Sequence, residues 1–189
     1  MALILASASP RRVELLKLIT EDFSVVTSQA DETLPDGILP PQAVMLLARR
    51  KAEAVALQRP DDMIIGADTI VVLGDTIFGK PRDRKHAADM LTALSGRTHA
   101  VHTGVCIWHA GRADCFSQAT GVTFAEMDKQ EIADYVASGE PDDKAGAYGI
   151  QGLGARFIAR IEGDYYTVMG LPVQALYQAL RQRGFTASL

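Results

Sequence analysis

The chain has 189 residues, of which 48% are hydrophobic, and a formal net charge of −4 at pH 7. This much apolar material can fill a sizeable core, which excludes an intrinsically disordered chain. A mildly acidic protein lacks the broad positive field that duplex nucleic acid or an anionic membrane requires, so we expect neither as a partner. Local clusters of basic residues are therefore expected to bind a small molecule.

The cysteines and the N-terminal segment indicate a cytoplasmic protein. Cys106 and Cys115 lack the spacing of metal ligands, and two lone cysteines in a chain of this size are typical of a reducing compartment. We expect them to face each other across one hairpin. The apolar stretch at residues 2–6 is shorter than the ~7–15 residues of a secretion signal, and no apolar run reaches the ~18 residues of a membrane span.

Strands and helices alternate along the chain. Apolar runs predict strands, i, i+3, i+4 spacing predicts helices, and Gly, Pro and Asp mark the turns. In chain order the predicted elements are a strand at 3–6, a helix beginning at Pro10, a strand at 23–27, a helix around 44–55, strands at 63–73 and 76–78, a helix from Asp83 to Ser95, strands at 97–109 and 113–125, a short helix with a capping box of Asp128 and Glu131, strands at 157–161 and 165–169, and a helix from Pro172 to Gly184.

Hairpins and crossover helices together predict an α/β fold with a mixed twisted sheet and flanking helices. We expect one domain over residues 1–189, with two lobes around a central cleft. A domain boundary near residue 95 is the alternative.

Two arginines occupy the first turn of the first predicted helix. Ser9 suits the N-cap and Pro10 the first helical position, which places Arg11 and Arg12 at the positive end of the helix dipole. Such a placement costs roughly 0.3–1 kcal/mol per cation. A bound anion offsets this cost, so the strand-to-helix junction predicts a phosphate site. The alternative is a pair of solvated arginines on a frayed turn.

Asp68 is the one charge inside the apolar run at 63–73. A carboxylate in such a strand is costly unless a cation, a metal or hydrogen bonds compensate it, and carboxylates of this kind collect at active sites. The alternative is a structural Asp paired with an Arg or capping a helix. The hairpin at Gly74–Asp75 is expected to return Lys80 to the neighbourhood of Asp68.

Three apparent motifs are excluded by the residues and predicted elements around them. Residues 74–80 fit GxxxxGK, but Pro81 follows where a P-loop needs Ser or Thr and a helix. The glycines at 149–154 lack the strand and helix of a dinucleotide-binding fingerprint. His99 and His102 fall on opposite faces of a strand, which makes them poor co-ligands of one metal.

The remaining polar residues form three sets. Glu32 and Asp68 are the expected ligands of a divalent metal, since Mg²⁺ commonly takes one or two carboxylates, with Glu140 and Asp142 as less favoured candidates. The loop at 139–155 contains five glycines and is predicted to bind a ligand, with Tyr148 stacking on a base and Gln151 contacting it through its amide. The predicted phosphate ligands are Ser7, Ser9, Arg11, Arg12, Lys51, Lys80 and Lys144.

Six segments resemble the Maf family of nucleoside triphosphate pyrophosphatases. They are Ala6-Ser-Ala-Ser-Pro-Arg-Arg12, Gly66-Ala-Asp-Thr69, Gly79-Lys-Pro81, Leu94-Ser-Gly96, Asp143-Lys-Ala-Gly-Ala-Tyr-Gly-Ile-Gln-Gly152 and Gly170-Leu-Pro172. The resemblance spans nearly the whole chain. It implies a fold of the Maf and inosine triphosphatase type with a deep cleft, hydrolysis of a nucleoside triphosphate to the monophosphate and pyrophosphate with a divalent metal (Mg²⁺, Mn²⁺ or Co²⁺), and a cytoplasmic homodimer.

The resemblance also implies roles for individual residues. Asp68 matches the proton acceptor, and Lys80 is expected to act with it in catalysis. Arg11, Thr69 and Gln151 match the dTTP/UTP branch of the family at the positions that separate its branches. The amide of Gln151 complements uracil or thymine and, reversed, cytosine, so it does not decide between them.

One segment departs from the family pattern. Asp164 and Thr167 replace the Ser and Asn often found there, which leaves the role of that turn open.

Two other functions compete with the pyrophosphatase. One is a non-catalytic nucleotide-binding regulator, because Maf proteins are also associated with arrest of septum formation. The other is a sugar-phosphate or nucleotidyl-transfer enzyme that uses the same anion site. Identifying the products separates the three.

Overall fold

A computed structural model describes residues 1–186 of the chain. Its strands and helices are β1 (Leu3–Ala6), α1 (Pro10–Lys17), β2 (Ser24–Val25), α2 (Pro40–Ala56), β3 (Met63–Leu73), β4 (Thr76–Phe78), α3 (Arg84–Leu94), β5 (Thr98–His109), β6 (Arg112–Phe124), α4 (Lys129–Ala137), β7 (Ile158–Glu162), α5 (Tyr165–Met169) and α6 (Val173–Arg181). Three short 3₁₀ turns lie at Glu140–Asp143, Ala145–Ala147 and Leu153–Phe157.

The strands form one mixed sheet in the order β2-β1-β3-β5-β6-β7, with β4 paired to β3. β1 runs parallel to both β2 and β3, whereas the β3–β4 and β6–β7 pairs are antiparallel. Parallel strands are usually buried on both faces, and β1 and the first half of β3 are buried accordingly. The predicted mixed α/β fold with flanking helices is confirmed.

The chain divides into two compact units. Unit 1 contains Met1–Asp68, Thr103–Gln118 and the residues from Gly170 onward, and unit 2 contains Thr69–His102 and Ala119–Met169. The prediction of a single domain stays a prediction.

The core of unit 1 lies between α2 and the sheet. It contains Ile4, Ala6, Ala48, Ala52, Val55, Ala56, Ile64 and Cys106. Two glycines let the helix backbone approach closely: a Cβ on Gly66 would lie 2.1 Å from the Ala48 carbonyl oxygen, and one on Gly104 would lie 2.4 Å from that of Val44. Because neither residue has a side chain, the backbone of α2 can contact the sheet directly at these two points.

The core of unit 2 combines α3, α4 and parts of β5 and β6. Leu91, Leu94 and Phe124 are among its most buried side chains. The predicted caps are confirmed, since Asp83 accepts a hydrogen bond from the His86 N–H at 2.7 Å and Asp128 forms a capping box with Glu131.

Three local predictions need correction or refinement. Residues 165–169 form α5 rather than a strand, because the Asp164 carboxylate accepts hydrogen bonds from the N–H and the hydroxyl of Thr167 at 2.6 and 2.7 Å and caps the helix. β2 is shorter than predicted. The glycine-rich segment at 139–155 is not one irregular loop, because it contains the 3₁₀ turns.

The prediction of a hairpin that pairs the two cysteines is confirmed. β5 and β6 are joined by Ala110 and Gly111, both with positive φ, as a type I′ turn requires. The thiols of Cys106 and Cys115 contact each other across this hairpin. Among the helices of residues 1–186, none combines the length and apolar character that crossing a bilayer requires.

Candidate active site

Asp68 lies on β3 opposite α2. Gly66 and Asp68 are two residues apart on the strand and so point to the same face, while Ala48, Lys51 and Ala52 share one face of the helix. Because Gly66 allows the helix backbone to come close, Lys51 reaches Asp68. The contact between Lys51 and Asp68 therefore depends on Gly66, which has no side chain.

Lys51 links two carboxylates in unit 1. Its Nζ donates to Asp68 Oδ1 at 2.5 Å and forms an ion pair with Glu32 Oε1 at 2.8 Å. The side chains of Asp68 and Lys51 are 13% and 15% exposed, whereas that of Glu32 is 65% exposed. The cluster thus has a buried end at Asp68 and a solvated end at Glu32, and the charge of the partly buried carboxylate is compensated.

Arg12 is electrostatically coupled to the same cluster. Its Nε donates to the carbonyl oxygen of Gly170 at 2.8 Å, which orients the guanidinium. Burial lowers the pKa of Arg12, as does the neighbouring Arg11, while the charges of Asp68 and Glu32 act in the opposite direction. A desolvated guanidinium remains charged in proteins and favours an anionic ligand.

The start of α1 agrees with the prediction in its residues but not in all of its hydrogen bonds. Ser9 is the N-cap and Pro10 the first helical residue, yet the Ser9 side chain accepts no capping hydrogen bond. Instead, the hydroxyl of the buried Ser7 accepts one from the Ser9 N–H at 3.1 Å. The junction therefore exposes a helix N-terminus without a side-chain cap beside two arginines.

The predicted site residues fall into two groups. Unit 1 contains Ser7, Ser9, Arg11, Arg12, Glu32, Lys51 and Asp68, and unit 2 contains Thr69, Lys80, Lys144 and Gln151. Contacts join Lys51, Glu32 and Asp68 directly. Lys80 and Gln151 are exposed.

Lys144, proposed above as a phosphate ligand, is engaged within its own segment. Its Nζ donates to the Glu140 carbonyl oxygen and to Asp143 Oδ1, each at 2.7 Å. A phosphate would have to compete with these two acceptors.

The prediction that Tyr148 stacks on a base is wrong. Its side chain is buried in the core of unit 2, where its hydroxyl contacts His99 Nε2 at 2.8 Å and its ring packs edge-on against Phe124. Burial raises the pKa of Tyr148 and lowers that of His99 to about 4. Both rings are therefore neutral parts of the core.

Glu32 and Asp68 provide a donor set that fits a hard cation. Both carboxylates contact one ammonium nitrogen, so they converge on a common cation position, and carboxylate oxygens are preferred ligands of Mg²⁺. Within residues 1–186, no cluster of three or more His, Cys, Asp or Glu residues is arranged to hold a metal. A metal here would need water or substrate oxygens to complete its coordination.

The sequence predictions miss two residues that shape the candidate site residues of the two units. Gly66 could have been found, because a glycine inside an apolar strand often marks a close backbone approach. The sequence indicates Glu140 only as a less favoured metal ligand. Its carboxylate instead accepts hydrogen bonds from the N–H groups of Leu153 and Gly154, a long-range arrangement that no local pattern reveals.

The chain is similar to known proteins over almost its entire length. The family model described as Maf-like protein matches residues 2–183. A dTTP/UTP pyrophosphatase of Geobacillus sp. strain WCH70 is 49% identical over 97% of this chain and 98% of its own length. Relatives with the same name in Bacillus cereus strain ATCC 14579 and Koribacter versatilis are also 49% identical, over 95% and 97% of this chain and 94% and 95% of their own lengths.

A comparison of folds agrees with this result. The structure of the Staphylococcus aureus Ham1 protein matches 96% of this chain and 98% of its own with a TM-score of 0.55 at 13% sequence identity. That likeness shows the fold alone. The family model and the relatives at 49% identity together show that the chain belongs to the Maf family.

Proposed function

We propose that this protein is a nucleoside triphosphate pyrophosphatase that hydrolyses dTTP and UTP to the monophosphate and pyrophosphate. Its relatives at 49% identity carry the name dTTP/UTP pyrophosphatase. The observation that carries the proposal is the cluster of Asp68, Lys51 and Glu32, electrostatically coupled to Arg12. It combines a partly buried carboxylate with cations suited to phosphate.

Asp68 is proposed as the general base. The oxygen of a water molecule attacks the α-phosphorus while a proton passes from that water to the carboxylate. The bond between the α-phosphorus and the bridging oxygen of the β-phosphate breaks, and pyrophosphate leaves with the electron pair. A positioned general base typically contributes about 10²–10⁴-fold to the rate.

The cations of the chain are proposed to bind the phosphates. Arg11, Arg12 and Lys51, which belong to unit 1, are proposed to bind phosphate. Lys80, which belongs to unit 2, is proposed to bind phosphate as well. Charge develops on the departing pyrophosphate, and positive groups placed in advance stabilise that charge at little reorganisation cost. Ser7, Ser9 and Lys144 remain proposed as phosphate ligands.

A divalent cation is proposed to be held by Glu32 and Asp68. When bound, it supplies Lewis acidity to the phosphate oxygens and lowers the pKa of water. The ammonium of Lys51 already contacts both carboxylates, so Lys51 is expected to move or share its position when a cation enters.

Arg11, Thr69 and Gln151 are proposed to select the nucleotide. The exposed amide of Gln151 presents one donor and one acceptor, which complements the O4 and N3–H edge of uracil or thymine. We also propose that the protein is cytoplasmic and forms a homodimer. Light scattering of the purified protein tests the homodimer.

Product identification tests the proposal. The protein is incubated with dTTP, UTP, CTP, ATP and GTP in the presence of Mg²⁺, Mn²⁺ or Co²⁺, and both products are identified by phosphorus NMR. We expect monophosphate and pyrophosphate, with dTTP and UTP consumed fastest. Release of orthophosphate would contradict the proposal, as would a nucleotide that raises the melting temperature without being consumed.

A further inference from the structure

The segment that carries Gln151 is fastened at its two ends to two side chains, Tyr135 and Glu140, which are hydrogen-bonded to each other. The Gly149 N–H donates to the Tyr135 hydroxyl at 3.1 Å, where the segment begins. The Leu153 and Gly154 N–H groups donate to Glu140 Oε2 and Oε1 at 2.8 and 3.0 Å, where it ends. Tyr135 in turn donates its hydroxyl hydrogen to Glu140 Oε1 at 2.8 Å. We call residues 149–154 the Gln151 loop.

The glycines of the Gln151 loop leave room for these two side chains. A Cβ on Gly152 would lie 2.6 Å from Glu140 Oε2, and one on Gly154 would lie 2.6 Å from the Tyr135 hydroxyl. Gly152 also has a φ of +110°, a backbone conformation that residues with a side chain rarely adopt. The glycines thus allow the Glu140 carboxylate to lie against the backbone rather than serving only to make the loop flexible.

Tyr135 and Glu140 are themselves held in place. Tyr135 is buried in α4, and its ring packs against Phe157 with the ring centroids 5.3 Å apart. Burial raises the pKa of Glu140, but the hydrogen bonds from Gly154, Leu153 and Tyr135 outweigh that effect and lower it overall. An ionised carboxylate with three donors is a strong and directional acceptor.

We infer that Glu140, supported by Tyr135, is a positioning residue that orients Gln151 for base recognition. The inference rests on the proposed function. Glu140 acts through the backbone: it fixes the end of a six-residue loop whose start is fixed by Tyr135, so that less conformational freedom is lost when the Gln151 amide meets a base. Loosening the loop should therefore weaken recognition of the base more than it slows the chemistry at phosphorus.

The test compares two matched variants. Glu140→Gln places an amide NH₂ group against backbone donors that the carboxylate had accepted, which breaks at least one of the hydrogen bonds. Asp142→Asn makes the same change in charge two residues away, on an exposed side chain. Tyr135→Phe provides a second way to loosen the loop if Glu140→Gln does not fold.

Hydrogen exchange tests the anchoring independently of activity. We expect at least one of the amides of Leu153 and Gly154 to exchange at least tenfold faster in Glu140→Gln than in wild type, and both to exchange at an unchanged rate in Asp142→Asn. Unchanged exchange at both amides in Glu140→Gln would overturn the inference.

Kinetics then test the role in recognition. In Glu140→Gln we expect the preference for UTP over ATP, measured as the ratio of kcat/KM values, to fall about tenfold through a higher KM for UTP, while kcat for UTP changes by less than about threefold. In the double variant with Gln151→Ala the two losses of preference should not add. Additive losses, or an equal fall in kcat for every nucleotide, would overturn the inference. A wild-type protein that consumes no triphosphate would instead overturn the proposed function, and with it this role.

Discussion

The cluster around Lys51 in unit 1 and the Gln151 loop in unit 2 both use carboxylates, but in opposite ways. In unit 1, Glu32 and Asp68 face an ammonium group, a partner that a metal or a substrate can displace. In unit 2, Glu140 accepts hydrogen bonds from the backbone and from a buried tyrosine. A carboxylate paired with a side-chain cation that a ligand can replace is suited to chemistry, whereas one bound to backbone N–H groups is suited to holding a shape.

The largest effect is expected from Asp68→Asn, which tests the chemical role that the comparison gives to Asp68. The amide keeps the size of the side chain but cannot accept a proton from water, so we expect kcat to fall by about 10²–10⁴-fold. Pyrophosphate release from UTP is the measurement. Asp75→Asn, an exposed carboxylate in the turn after the same strand, is the control and should retain wild-type activity. Equal activity in both variants would remove Asp68 from the mechanism.

The second largest effect is expected from Gly66→Ala. The added methyl group would lie 2.1 Å from the Ala48 carbonyl oxygen, and neither backbone can rotate away. We expect a loss of about 1–3 kcal/mol in the free energy of unfolding, toward the upper end of that range, measured by urea denaturation.

The matched control for Gly66→Ala is Gly121→Ala, another strand glycine. Its Cβ would lie 3.7 Å from the Cβ of Glu162, an ordinary contact. If both variants lose the same stability, the close approach of α2 is not what limits position 66.

The smallest effect concerns the core that supports the Gln151 loop. His99 has a pKa of about 4 in the folded protein because of burial, against about 6.5 when exposed. Between these values the unfolded chain binds a proton that the folded chain does not. The stability contribution of a neutral His99 is therefore complete above pH 6.5 and is lost as the pH falls toward 4, at about 1.4 kcal/mol per pH unit.

Urea denaturation at pH 7.5 and pH 5 measures this effect. His99→Gln should lose this part of the pH dependence. His109→Gln, at the far end of the same strand, controls for the removal of a histidine. A His99→Gln variant whose stability still falls as steeply as that of wild type would assign the pH dependence to other groups.

Much of the fold could be predicted from local patterns. The long apolar run at 63–73 predicts β3 with its observed bounds, and the spacing of Asp128 and Glu131, three residues apart, predicts the capping box. The aromatic and β-branched residues at 165–169 predict a strand, whereas the hydrogen bond that Asp164 accepts at the start of this segment stabilises a helix.

The candidate site was only partly predictable, because local patterns identify single residues but not the contacts between residues that are distant in the sequence. Charged residues at unusual positions, such as Asp68 and Arg12, stand out in the sequence itself. The contact of Lys51 with Asp68, 17 residues apart, depends on how α2 packs against the sheet. The burial of Tyr148 likewise depends on distant residues, including His99 and Phe124, that no spacing rule connects to it.

The two glycines at which α2 contacts the sheet closely also limit how the length of the helix can vary. Gly104 meets the helix at Val44, and Gly66 meets it at Ala48 and Ala52, the turn that carries Lys51. One inserted residue turns everything beyond it by about 100° around the helix axis. An insertion between Val44 and Lys51 would therefore carry the ammonium away from Asp68, even though composition and hydropathy would scarcely change. Homologous chains should accordingly vary in length before α2, in the loop around Gly37, and not within it.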